Sequence, residues 1–326
     1  MIDQQHVDTF QEWFNTLLDN IGSVIRGKRQ EVAMALVCVF SEGHLLLEDH
    51  PGTGKTSLAK SIAFSFRGSW DRVQFTPDLL PSDVTGGLIY NQGSGEFRFR
   101  EGPIFSNVVL ADEINRASPK TQSALLEVME ERQVTIDRES RQVPRPFVVI
   151  ATQNPDEAGT GGTYELPEAQ LDRFLMRPSL GYPAHDDEVD VLGNVADEID
   201  PSSLEAVMTT DDVRKLIRVA GGVHVSPEIR SYIVRLADAT RQMTDVLRLG
   251  VSTRGCVALM KCSRTLAAAQ ARNFVTADDV KSVAHAVMEH RLLLTPKAEL
   301  DGVLTKNLVE DVLTSVEAPG ALRPGR

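Results

Sequence analysis

Glu48-Asp49-His50-Pro51-Gly52-Thr53-Gly54-Lys55-Thr56 follows the apolar run Leu45-Leu46-Leu47 and precedes a helical pattern from Ser57 to Phe66. A short buried strand feeding a Gly-Lys-Thr turn that opens a helix is the setting a phosphate-binding loop requires. Unpaired N–H groups at the helix start and the positive end of its dipole attract anions. Gly52 and Gly54 let the backbone curl around phosphate oxygens where a Cβ would collide. Lys55 then reaches the β- and γ-phosphates, and the Thr56 hydroxyl is placed to ligate magnesium. Pro51, Thr53 and Ser57 complete the candidate cradle. Asp49 stands where the usual pattern has its first glycine, so the loop needs a second witness.

That witness is Val108-Val109-Leu110-Ala111-Asp112-Glu113. Four small or apolar residues in a row read as a strand buried on both faces of a parallel sheet. Ligands bind at the carboxyl edge of such sheets, so the two acids should face the phosphate loop. Asp112 suits a magnesium ion held through its water shell, and Glu113 suits polarising a water for attack on a γ-phosphate. A third strand, Phe147 to Ala151, ends at Thr152-Gln153-Asn154 and brings an amide to the same edge. Asn154 there orients water or holds the γ-phosphate, or it is a turn former before Pro155.

The length of 326 residues suggests about two domains. No run approaches the ~20 apolar residues of a membrane span, and the first residues lack the basic start and apolar core of a secretory signal. Cys38, Cys256 and Cys262, in neither paired nor zinc-like spacing, suit reduced thiols in a cytoplasm. A formal charge of −12 argues against a general nucleic-acid binder.

Helical spacing predicts a first helix over Val7 to Ile21 and a second over Gln30 to Phe40, with a turn at Ile25-Arg26-Gly27-Lys28 between them. Ile25 and Gly27, just upstream of the loop, are candidates to cradle an adenine ring. Arg72 to Phe75 reads as a strand. The glycine-rich segment that follows carries a hairpin at about 85–101, functional or decorative, with its turn near Gly93-Ser94-Gly95. Ser118-Pro119 caps a helix, and a second hairpin at about 133–144 exposes the tip Asp137 to Arg141. A last short strand is expected near Leu175 to Leu180. The core domain is read as 1–183, and 184–200, with its acids Asp186-Asp187-Glu188, as linker. The stretch 201–317 is all helical, with caps at Thr209, Ser226 and Thr276, and 318–326 is a disordered tail. Ser252 should cap a helix whose first turn holds Arg254, a cation that opposes the dipole unless an anion lies nearby. Arg254 is therefore a candidate for bound nucleotide, or else a solvated surface arginine.

Leu110 to Ala117, Lys120 to Glu127, Ala151 to Pro155 and Leu166 to Phe174 closely resemble the MoxR family of AAA+ ATPases, and the resemblance covers nearly the whole chain. Asp at position 49 is usual there. The resemblance implies an α/β fold: an AAA+ P-loop αβα core with a parallel sheet, then a smaller all-α lid. The two hairpins correspond to the helix-2 insert and the pre-sensor-1 hairpin. Asn154 matches sensor 1, Arg254 sensor 2, and Arg173 the arginine finger that acts on a neighbouring subunit's nucleotide. The residues alone do not choose Arg173 over Arg116 or Arg177. The family implies ATP and magnesium as cofactors, a hexameric ring, and chaperone-like maturation of proteins, often ones with a von Willebrand factor A domain. Alternatives are a metal-chelatase-like or DNA-remodelling motor, or a scaffold that binds ATP with little turnover.

Overall fold

The computed structural model describes residues 2–48, 52–93, 95–137, 139–154, 163–196 and 199–320, without the side chains of 195 and 196. Asp49, His50, Pro51, most of the glycine-rich loop after Asn154, and the last six tail residues therefore lie outside the described residues. The chain divides into two compact units. A sheet unit takes Thr16–Phe174 and Pro178–Arg214, and a helical unit takes the chain up to Asn15, Leu175–Arg177, and everything from Lys215 on.

Helices α1 (Gln4–Gly22) and α2 (Arg29–Phe40) lead into β1 (Leu45–Glu48), followed by α3 (Lys55–Ser65) and β2 (Trp70–Gln74). After α4 (Pro81–Thr85), β3 (Gly86–Asn91) and β4 (Glu96–Glu101) form the first expected hairpin, paired from Gly86↔Glu101 to Asn91↔Glu96. Then come β5 (Val108–Asp112), α5 (Pro119–Glu131), the second hairpin β6 (Gln133–Ile136) and β7 (Glu139–Gln142), and β8 (Val148–Gln153). Strands β1, β8, β5 and β2 lie side by side in that order, all parallel. Both faces of the central strands are buried, as their unbroken apolar runs require. Leu46, Val109, Ala111, Val149 and Ala151 share a core with Leu125, Leu126 and Met129 of α5. Leu45, Leu47, Val108, Leu110 and Ile150 are equally buried, and α3 packs along β2 and β5. β2 lies at an edge and exposes Asp71, Arg72 and Gln74, charged and polar side chains that discourage further strand pairing.

Two expectations change. No strand forms near Leu175 to Leu180: Leu175–Arg177 belongs to the helical unit, where the Arg177 N–H donates to Ala286 O at 2.7 Å. An apolar run this short satisfies a helical partner as well as a sheet edge, so its sequence does not choose. The segment 184–200, read as linker, carries α7 (His185–Ala196) and belongs to the sheet unit, after the one-turn α6 (Glu168–Leu171). Asp186, Asp187 and Glu188 occupy the first turn of α7, where the helix dipole favours acids.

The remaining helices are α8 (Thr210–Gly221), which crosses from one unit to the other, α9 (Pro227–Gln242), α10 (Thr253–Ala269), α11 (Ala277–Met288), α12 (Pro296–Leu300) and α13 (Thr305–Ser315). In the helical unit α10 packs on α9 and α11, and α13 on both α9 and α11, around Tyr232, Leu236, Leu259, Val283 and Val287. The expected caps form: Ser226 and Ser252 accept from Ile229 and Gly255 N–H, and Thr276 with Asp279 makes a reciprocal capping box.

Candidate nucleotide and catalytic site

The strand order brings the site together. β8 lies between β1 and β5, so the carboxyl ends that carry the phosphate loop, Asp112-Glu113 and Asn154 are adjacent. A cavity of about 390 Å³ there is lined by Gly52, Gly54, Lys55, Thr56, Ser57, Asp112, Glu113, Thr152, Gln153 and Asn154. Gly52 and Gly54 sit at φ +84° and +87°, the left-handed region that side chains disfavour, and Gly54 directly precedes α3. Helix α3 thus starts at a residue with no capping side chain, and its first N–H groups border the cavity.

The two acids are held differently. The Asp112 carboxylate accepts from the Thr152 hydroxyl at 2.6 Å on one oxygen, and from Arg72 at 2.6 and 3.2 Å on the other. Thr152 is almost fully buried, and its hydroxyl also accepts the Glu113 N–H at 2.9 Å. Glu113 itself is at φ 56°, ψ 50°, a conformation a non-glycine residue rarely adopts. Its carboxylate takes the Gln74 amide at 2.8 Å and the Arg116 guanidinium at 2.7 Å, both on Oε2. The Gln153 amide donates to Glu48 at 2.9 Å across the β1–β8 pair.

Magnesium prefers oxygen donors and keeps several waters. The Thr56 hydroxyl and the Asp112 carboxylate fit that chemistry on the same cavity wall. Among the described residues no cluster of three or more His, Cys, Asp or Glu side chains could hold a metal. Thr56 and Asp112 are the residues that would hold such an ion, which would supply positive charge beside bound phosphates.

Ile25, Gly27 and Thr53 are not among the residues lining this cavity. The Ile25–Gly27 turn has a neighbour that sequence reasoning missed. A Cβ on Gly27, itself at φ +67°, would fall 2.2 Å from the Asp187 carboxyl group of α7. Lys28 Nζ donates to Tyr182 O at 2.7 Å, and Asn194 Nδ2 to Ser23 O at 3.4 Å, so α7 and its approach dock on this turn. Asp187 and Asn194 are seven residues apart on α7, a spacing that places them on one helix face; that periodicity was the signal available. Arg173, in the turn after α6, pairs with Glu130 of α5 at 3.1 Å and is not part of the cavity wall. Arg254 stands in the first turn of α10, in the helical unit.

A loop, acids and amide in this arrangement define a P-loop nucleotide hydrolase. Residues 44–176 match the family model described as the ATPase family associated with various cellular activities (AAA), and residues 239–312 match the AAA lid domain. The chain is 45% identical to protein YeaC of Bacillus subtilis, over 95% of this chain and 97% of that one. It is 40% identical to the chaperone MoxR1 of Mycobacterium tuberculosis, over 91% of this chain and 80% of that one. A crystal structure from Cytophaga hutchinsonii superposes with a TM-score of 0.89 at 35% identity, covering 96% of this chain and 97% of that one. The chain belongs to the MoxR family of AAA+ ATPases. It is accordingly an ATPase with an αβα core and a helical lid, as the sequence led one to expect.

Proposed function

We propose that this chain is a magnesium-dependent ring motor, most simply a hexamer, that spends ATP hydrolysis on maturing or remodelling partner proteins, among them proteins with a von Willebrand factor A domain. The observation that carries the reading is the cavity shared by Gly52, Gly54, Lys55, Thr56, Ser57, Asp112, Glu113 and Asn154. In this reading the α3 N-terminus and Lys55 hold the phosphates. Thr56 and Asp112 hold magnesium, which when bound offsets the negative charge of the β- and γ-phosphates. Glu113 takes a proton from the water whose oxygen attacks the γ-phosphorus, ADP leaves, and Asn154 keeps that water or the γ-phosphate in place. Ile25 and Gly27, with α7 against them, take the base. Arg173 acts on the nucleotide of the next subunit and Arg254 on its own. The chaperone description of the MoxR1 relative supports a protein cargo. The three cysteines, none of them in a disulfide, suit the cytoplasm.

The test is capture by Glu113→Gln, which should retain ATP without hydrolysing it. Recovery of a folded protein with a von Willebrand factor A domain, dependent on ATP, is expected. Recovery of nucleic acid, or of this chain alone, would overturn the chaperone reading.

A further inference from the structure

Two arginines of the helical unit stand together without an acid between them. Arg230 lies in the first turn of α9 and Arg264 in the second half of α10. The two helices pack on each other, and Arg241 near the end of α9 donates from Nε to Val251 O, just ahead of α10, at 2.9 Å. They therefore run antiparallel. Arg230 lies eleven residues before Arg241 and Arg264 thirteen after Val251, so a similar helical rise brings both to one level of the seam. Burial, and then the Arg230 charge, hold the Arg264 guanidinium below its usual range, which shows the two cations acting on each other.

Among the described residues neither guanidinium takes part in an ion pair or a hydrogen bond. Arg230 is exposed and Arg264 half-buried, with an Nε–H that is shut off from water and has no acceptor. Buried donors are ordinarily paired, so this one asks for a partner. Glu228, two residues before Arg230, does not supply it: its carboxylate is held first by the Ser226 hydroxyl and its own backbone N–H, and only then by Arg230 and His224. A partly desolvated cation beside a second cation raises the energy of the seam, and an anion placed between them reverses that cost. The donors also select the anion. One guanidinium fork satisfies the two oxygens of a carboxylate, whereas two forks suit a tetrahedral phosphate that turns oxygens towards both.

We propose that Arg230 and Arg264 form a phosphate-binding site on the α9–α10 seam, for free phosphate or for a phosphorylated side chain of a partner protein. The experiment titrates inorganic phosphate into the full chain by calorimetry at fixed ionic strength, with the ATP site filled by an excess of a non-hydrolysable ATP analogue. Wild type should bind phosphate, and Arg230→Gln and Arg264→Gln should each weaken it about tenfold or more, through loss of one set of charged donors. Acetate, which one fork satisfies, should bind more weakly than phosphate. Phosphate should also raise the urea midpoint of the helical unit, read through Trp13 in a Trp70→Phe background, and should not move that of Arg264→Gln. No phosphate binding by wild type overturns the proposal, as does binding that both variants retain, or acetate bound as tightly as phosphate. Should Arg264→Gln not fold, Arg230→Gln, at an exposed position, decides alone. A phosphoserine peptide set against its unphosphorylated form separates the two sources. Phosphate-dependent peptide binding that Arg230→Gln loses makes a partner's side chain the ligand, and binding of inorganic phosphate without the peptide makes it the free ion.

Discussion

The Thr152 hydroxyl ties both acids to β8, and its removal has a calculable cost. Thr152→Val keeps the shape of a side chain that is 1% exposed and deletes one oxygen. That oxygen donates to the Asp112 carboxylate at 2.6 Å and accepts the Glu113 N–H at 2.9 Å. A hydrogen bond to a charged group contributes about 1.5–3 kcal/mol, and a buried N–H left unpaired costs about 1–3 kcal/mol. Asp112 keeps Arg72 on its other oxygen, so its charge is not stranded. The two bonds also share an atom and do not add fully, which sets the expected loss at about 2–4 kcal/mol. Trp13 lies in the helical unit and Trp70 in the sheet unit, so urea unfolding followed by Trp70 fluorescence in a Trp13→Phe background reports on the sheet unit. At roughly 2–3 kcal/mol per molar urea the midpoint should fall by about 0.7–2 M. Thr152→Ser, which keeps the hydroxyl, should lose only about 1 kcal/mol for the missing methyl. A midpoint for Thr152→Val that matches Thr152→Ser would refute the reasoning. Turnover in Thr152→Val should fall, since the hydroxyl positions both Asp112 and Glu113.

Gly27→Ala would put a Cβ 2.2 Å from the Asp187 carboxyl at a φ of +67°. It should destabilise the sheet unit by at least about 1–2 kcal/mol from backbone strain alone, and an unshifted Trp70 transition would contradict this. Asp279 is 2% exposed, pairs with Arg272 and completes the capping box of α11. Asp279→Ala should cost the helical unit about 3–5 kcal/mol, read through Trp13 in a Trp70→Phe background; a loss below about 1 kcal/mol would place the pair among the weak surface bridges. On the ring reading, Arg173→Ala and Lys55→Ala should each be inactive alone. Mixed, they should recover measurable hydrolysis, because Lys55→Ala subunits supply Arg173 to intact phosphate loops. No recovery in a confirmed mixed oligomer would count against Arg173 acting between subunits.

Much of the architecture was legible because it rests on short-range signals. Unbroken apolar runs at Leu45, Val108 and Phe147 specify buried parallel strands, and the residues at their carboxyl ends are carried to one edge by topology alone. Caps at Ser226, Ser252 and Thr276 were readable for the same reason, each being complete within four residues. What escaped depends on register or on distant packing. Gln74 lies opposite Asp112 in the β2–β5 pairing, so its reach to Glu113 follows from a register no local pattern encodes. Arg72, Arg116 and Thr152 meet the acids by the same route. Helix α7 is hard to read because its acids resemble a solvated run, and the structure leaves Val189, Val191 and Leu192 exposed, so no clear apolar face marks it. The expected strand at Leu175 failed for the converse reason: its apolar character is real, but it is spent on the helical unit, where Arg177 bonds to Ala286, rather than on a sheet edge.

The central claim is that ATP is bound by the phosphate loop and hydrolysed through Glu113. It is tested most directly by measuring bound ATP and released phosphate in the same samples of wild type and Glu113→Gln. Equal ATP binding, with phosphate release falling at least about a hundredfold in the variant, is the predicted result for loss of a general base. Phosphate release by Glu113→Gln at the wild-type rate would contradict the account, whatever the state of assembly.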